Sequence, residues 1–305
     1  MTTAQLDYSF KNNPLPVVDD TVRQQKWPTK ICFTRVGEPP IAKQLPYEYA
    51  KHEASECPIK VFTLGRFSIL GNDYYLEFSG KGQRKSLELL KTLIAMGGRE
   101  VGELRISEAL WPDSEGDVAH STFAVTLHRL RKLLGPNALI LSEGRLTLNP
   151  KYCWVDVWAI DRLFGEIKNL IFSRQQDSQV IKYVVNEIIN LYHGPYLGFE
   201  DEQAWYLSYR DKLHTKFLNS IQMICSFLEK SNQYEQCVEL YEKGLEIDDL
   251  SEKLYLKLMQ CYYNLGFYAE AIKVYERCQR ILSAHYGVTP SHETRLVYNA
   301  VRKCA

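Results

Sequence analysis

The sequence predicts a mainly α-helical protein: a winged helix-turn-helix, made of three helices with β-hairpins, followed by an all-α region of tetratricopeptide-like helices. Three observations predict it. A strand pattern beginning at Ile59 gives way to three amphipathic segments and then to a second hairpin signal; the chain is helical almost without interruption beyond Tyr152; and within that helical run a segment recurs at an offset of 34 residues. At 305 residues, 45% of them apolar, the chain is long enough for two domains with their own cores. The expected divisions are a Pro-rich leader or linker over 1–57, the winged helix over 58–151 and the helical domain over 152–305.

Residues 1–58 hold seven of the twelve prolines, and no period of 2 or 3.6 is sustained there. This is expected to be an extended leader, or else the ragged end of a larger protein. From Ile59 the residues Ile59, Val61, Thr63, Phe67 and Ile69 fit one strand broken at Gly65. Gly71-Asn72-Asp73 supplies a turn before a second strand over Tyr74 to Phe78, closing a hairpin. A first helix over Gln83 to Met96 puts Leu87, Leu90, Leu93 and Ile94 on one face and ends at Gly97-Gly98. A shorter helix over Glu103 to Leu110 stops at Trp111-Pro112. The third starts near Asp117, the expected N-cap, and ends at Gly135-Pro136, with Phe123, Leu127, Leu130 and Leu134 facing inward. Leu139 to Leu141 and Leu146 to Leu148 then flank Glu143-Gly144 as a second hairpin.

Helices are expected over Asp156 to Ile171 and Ser178 to Tyr192, then, after a break at Gly194-Pro195, in a long run from about Asp201. In that run Tyr234, Cys237, Val238, Tyr241 and Glu242 align with Tyr268, Ala271, Ile272, Tyr275 and Glu276, the period of a tetratricopeptide repeat. The small residue of each copy lets paired helices approach. Eight scattered cysteines form no CxxC pair and have no His at zinc-ligand spacing, so they are expected to be reduced thiols, with Cys225, Cys237, Cys261 and Cys278 buried on helices. The tyrosines of the C-terminal half are expected to serve mainly in packing.

Lys plus Arg equals Asp plus Glu at 37 each, so a surface for a polyanion has to be a local patch. The third helix supplies one. Between His120 and Leu134 every charged residue is basic, and Ser121, Thr122, His128, Arg129, Arg131 and Lys132 fill its outer and flanking positions. A major-groove helix needs such a face, with Arg or Lys for phosphates and guanine edges and small polar groups for close approach. The hairpin that follows adds Arg145 at its turn. Gly80 to Ser86 lies between a strand and a helix, where backbone N–H groups favour an anion; Arg84 stands where a nucleotide loop needs glycine, so Lys81, Gln83, Arg84 and Lys85 suit a DNA phosphate better than ATP or GTP. No HExxH, GxSxG or dinucleotide fingerprint is present, and neither an enzymatic activity nor a cofactor or metal is expected. The first ten residues do not read as a signal peptide, and no stretch of about 18 apolar residues occurs, so a cytoplasmic protein is expected.

Several stretches together resemble one family. Phe62-Thr-Leu-Gly-Arg-Phe67, Gly82-Gln-Arg-Lys85, Leu104 to Trp111, Leu127-His-Arg-Leu-Arg-Lys-Leu-Leu-Gly135 and Trp154-Val-Asp-Val-Trp158 are similar to the DNA-binding half of bacterial transcriptional activator domain (BTAD) proteins, which include the Streptomyces-type antibiotic regulatory proteins (SARPs). Gly194-Pro-Tyr-Leu-Gly198 and the repeats ending at Tyr286-Gly-Val-Thr-Pro290 resemble the helical domain of that family. The resemblance implies an OmpR-type winged helix whose third helix enters the major groove, directly repeated half-sites in promoter DNA, and a helical domain that supports dimer contacts and recruits RNA polymerase. It places Ser121, Thr122, Thr126, His128, Arg129 and Arg131 on the recognition helix and Arg145 on the wing; family members often carry Arg or Lys where Ser121 and His128 stand. The expected function is a sequence-specific activator. The alternative is an interaction adaptor whose repeats hold a protein or peptide, with the winged helix as a contact module. An effector, peptide or small molecule, at the helical domain is left open.

Overall fold

The computed structural model describes residues 33–35, 57–71, 74–76, 81–172 and 178–304. The leader expected over 1–57 lies outside the described residues apart from Cys57 and the strand β1 (Phe33–Arg35), and the turn at Asn72-Asp73 lies outside them too.

Three short strands follow: β2 (Ile59–Phe62), β3 (Ser68–Gly71) and β4 (Tyr74–Leu76). The single broken strand expected here is two antiparallel strands, Ile59 facing Gly71 and Phe62 facing Ser68. Gly65, at φ +84°, does not interrupt a strand but turns the chain back on itself. The β3–β4 pairing keeps the expected hairpin, β1 adds an outer strand beside β4, and β8 (Cys153–Val155) runs parallel to β2 at the other edge. That parallel pairing joins residues more than ninety positions apart, and no local pattern announces it.

Helices α1 (Lys81–Ala95), α2 (Glu103–Leu110) and α3 (Gly116–Leu134) form the three-helix unit. The stretch read as a loop from Gly80 is already helix from Lys81. Helix α3 begins one residue before the expected cap: Glu115 is the N-cap, and Asp117 lies in the first turn, where its charge suits the helix dipole. Leu89, Leu90, Leu93, Ile106, Phe123, Leu127, Leu130 and Leu134 fill the space between the helices. The wing is a three-stranded sheet. Strands β6 (Leu139–Ser142) and β7 (Arg145–Leu148) turn at Glu143-Gly144, both at positive φ, as a two-residue type I′ hairpin requires. The short β5 (Val101–Gly102), too brief to show a period, pairs with β7.

Among the described residues seven helices follow: α4 (Asp156–Phe172), α5 (Ser178–Leu191), α6 (Ala204–Lys230), α7 (Tyr234–Ile247), α8 (Glu252–Asn264), α9 (Tyr268–Tyr286) and α10 (His292–Cys304). Helices α7 and α9 begin 34 residues apart, at the two aligned tyrosines. Their matched small residues Cys237 and Ala271 are fully buried, and a Cβ on Gly244 of α7 would sit 3.0 Å from Leu254 Cδ1 of α8, so close approach depends on small side chains. Cys225, Cys261 and Cys278 are buried as well, and burial pushes the Cys278 thiol up to about 12, which keeps it neutral and unreactive. Tyr241, Tyr255 and Tyr275 pack inside, whereas Tyr263 stays exposed.

Candidate nucleic-acid interface

The three-helix unit presents α3 outward. Phe123, Leu127, Leu130 and Leu134 hold one face in the core, which forces positions 117, 118, 121, 124, 125, 128, 129 and 132 into solvent. Ser121, His128, Arg129 and Lys132 are exposed as expected, and Thr122 is half-buried at the flank. No described residue pairs with the cationic groups of Arg129 or Lys132. From Val118 to Leu134 there is no acidic residue on the helix.

Two of the expected contact residues are turned to other work. Thr126 is only 4% exposed, and its hydroxyl donates to the Thr122 carbonyl at 2.7 Å. It belongs to the buried side, because the step of 100° per residue carries it away from Val125 and toward Leu127 and Leu130. Arg131 is half-buried and donates to the Leu139 carbonyl at 3.4 Å, which ties the end of α3 to the first wing strand. It is a positioning residue. Ser121 donates its hydroxyl to the Val118 carbonyl at 3.1 Å, so its donor is spent along the helix.

The wing tip lies beside the first half of α3. Glu103 at the start of α2 donates its N–H to the Gly144 carbonyl at 2.9 Å, and its carboxylate meets His120 Nδ1 of α3 at 2.5 Å. Arg145, exposed at the tip, donates to the Glu100 carbonyl at 3.3 Å through one guanidinium nitrogen. The recognition-helix candidates and Arg145 are thus brought together on one side. At the start of α1, Arg84 and Lys85 are exposed but share Glu88, at 3.2 and 2.7 Å; Gln83 is half-buried, and the side chain of Lys81 lies outside the described residues. Val118, Ala124 and Val125 are on the outward face although the sequence reading gave them no role, because apolar residues on an amphipathic helix are read as core by default.

A second constellation joins the two halves of the molecule. Asp156, the first residue of α4, is buried and its carboxylate accepts from Thr63 N (2.6 Å), Thr63 Oγ1 (2.6 Å), Leu64 N (2.7 Å) and Val157 N (2.8 Å). Burial pushes its carboxyl up to about 6, against the hydrogen bonds from Thr63, Leu64 and Val157, which favour the charged form. The neighbouring tryptophans of the same stretch grip the winged helix on either side: Trp154 packs edge-on against Phe62 at 5.5 Å, and Trp158 covers Gly98, where a Cβ would meet its ring at 2.2 Å. Across the two halves, Gly65 N of the winged helix donates to the Pro195 carbonyl at 2.9 Å, while from the helical half Leu197 N donates to the Thr63 carbonyl at 2.8 Å and Tyr196 OH to the Lys91 carbonyl at 2.6 Å. Arg210 donates to the Tyr196 and Leu197 carbonyls, and the buried Lys91 pairs with Glu200. Three of the stretches that carried the family resemblance, around Thr63, Asp156 and Tyr196, are therefore one joint.

Among the described residues no group of three His, Cys, Asp or Glu is placed to hold a metal ion, and no helix is long and apolar enough to cross a membrane.

A three-helix unit with a β-wing, locked to a stack of paired helices, defines a winged-helix protein with a helical-repeat domain. Residues 156–302 match the bacterial transcriptional activator domain. The chain is 25% identical over 240 residues to the regulatory protein AfsR of Streptomyces griseus, a match covering 75% of this chain and 23% of that protein, so it corresponds to less than a quarter of its relative's length. Among solved structures it is similar to Mycobacterium tuberculosis EmbR in complex with a low affinity phosphopeptide, with a TM-score of 0.59 and 16% identity over 81% of this chain and 65% of that one, a likeness of fold. Over residues 156–302 the chain is thus similar to proteins that carry a bacterial transcriptional activator domain.

Proposed function

We propose that this chain is a sequence-specific DNA-binding activator: residues 58–151 read promoter DNA through α3 and the wing, and residues 152–305 contact RNA polymerase. One observation carries the reading. The outward face of α3 has no acidic side chain from Val118 onward, ends in unpaired cations and is flanked by the wing tip, the arrangement a major-groove helix with an adjacent backbone contact needs. Arg129 is the candidate for a guanine edge. His128, Lys132 and Arg145 are candidates for phosphates, with Arg84 and Lys85 at the start of α1 available once released from Glu88. The AfsR relative, a regulatory protein by name, supports regulation as the outcome. Directly repeated half-sites, a homodimer and a cytoplasmic location follow from the same family reading.

The test is selection of duplexes from a random library by the full chain, followed by affinity measurement at several salt concentrations. A defined sequence should be enriched, with affinity falling steeply with salt because each neutralised phosphate releases counterions. Arg129→Ala should weaken the selected duplex by about 1–3 kcal/mol and relax one base position, whereas Lys132→Ala should weaken all duplexes alike and reduce the salt slope by about one. Retention without base preference, or none at all, would overturn the proposal and leave the helical repeats as a protein-binding adaptor.

A further inference from the structure

We propose that Val125, with Val118 about two turns before it, reads thymine in the major groove by packing its methyl groups on the base's C5-methyl. This rests on α3 being the DNA-reading helix and assigns part of its base preference to side chains outside the polar set.

Val118 is 56% exposed and Val125 is 50% exposed, although the core of the three-helix unit is otherwise well filled. Seven residues apart, they lie within about 20° of one another around the helix. Ser121 falls between them, and His128 and Lys132 continue the same line, so one stripe runs Val118, Ser121, Val125, His128, Lys132. The stripe is divided by chemistry. Its C-terminal half carries the His128 imidazole and the Lys132 ammonium. In its N-terminal half two valines flank the one hydroxyl, which donates to the Val118 carbonyl and turns only its acceptor side outward.

Nothing in the fold accounts for valine at these positions. Branched side chains are weaker helix formers than Ala, Leu or Lys, and an exposed valine gains nothing from burial. A protein-docking face would need a contiguous apolar patch, whereas Val125 stands among Ser121, Thr122, His128 and Arg129, and Val118 stands beside Glu115, Asp117 and Ser121. The major groove offers a better match: thymine alone presents an apolar group there, and the cations on the same stripe fit the phosphates and guanine edges around it. The N-terminal part of a recognition helix is also the part that reaches base edges, and here it is the part beside the wing tip.

The experiment takes the duplex selected by the full chain and resynthesises it with each thymine in turn replaced by deoxyuridine, which removes the C5-methyl and nothing else. At one thymine of each half-site the replacement should lower affinity about fourfold, the value of one buried methyl group. Val125→Ala should fold with thermal stability no lower than the parent chain, because Ala is the better helix former, lose a similar factor on the thymine duplex and show no further loss on the deoxyuridine duplex. If every replacement is neutral while sequence-specific binding persists, or if the selected half-site holds no thymine, the inference falls and the DNA-binding reading stands. If Val125→Ala and the base replacement act independently, the methyl is read by another residue and the inference falls as well. If no duplex is selected, the reading beneath it has failed.

Discussion

The outward face of α3 and the joint around Asp156 are opposite solutions on one chain. At the joint nearly every polar group is spent: four donors converge on one buried carboxylate, Arg210 holds two carbonyls, and the Lys91 ammonium meets Glu200 over the Phe67 ring. On α3, the cations of Arg129 and Lys132 have no partner among the described residues, and two valines stand in solvent. The contrast teaches where this molecule is built to be rigid and where it is left incomplete. The joint ties the winged helix to the helical stack at many points, although among the described residues Trp154 Nε1 stays buried there without a hydrogen-bond partner.

The contrast breaks most severely at Asp156. Asp156→Ala strands the N–H groups of Thr63 and Leu64 in a buried site and removes the acceptor at the start of α4; a loss of about 3–5 kcal/mol is expected, read from denaturant midpoints. A change under about 1 kcal/mol would mean that the joint is held by the tryptophans instead. Next is the pH dependence. The folded carboxyl titrates near 6 rather than 3.8, so the folded chain keeps a proton that the unfolded chain releases. The stabilisation is fully present below about pH 4 and disappears as pH rises through about 6, amounting to about 3 kcal/mol. Asp156→Asn should flatten stability over that window, and an unaltered slope would assign it to another group.

Gly65→Ala is a smaller insult to the same joint. The residue sits at φ +84°, and a Cβ there would stand 3.0 Å from the His193 carbonyl oxygen, so about 1–3 kcal/mol should be lost in thermal unfolding. The smallest effect sharpens the other side. Thr126→Val removes a hydroxyl bonded only to its own helix and should shift stability by less than about 1 kcal/mol, with base preference unchanged. Altered base preference would return Thr126 to the reading face.

Much of the fold was legible because its signals are local. The α2 boundaries, the type I′ wing turn and the 34-residue step between α7 and α9 each follow from a period, a breaker or a turn residue within a few positions. The two strands around Gly65 were merged because alternation continues through the turn, and only pairing separates them. For the site, the basic and polar character of α3 is legible directly, but the burial of Thr126, which the resemblance alone puts among the contact residues, and the tie of Arg131 to the wing depend on the packing of Leu127, Leu130 and Leu139. Val118 and Val125 illustrate the converse. Their residue type says core, and their exposure is a property of where the rest of the molecule stops.

By itself the sequence determined the helical periods, the turns, the repeat and the acid-free stretch of α3, because these depend on residue type and spacing alone. Tertiary structure decided that β2 pairs with β8, that the motifs around Thr63, Asp156 and Tyr196 converge, and which groups on α3 remain unspent. Those outcomes rest on contacts between residues about a hundred positions apart, whose hydrogen bonds and burial no local pattern encodes.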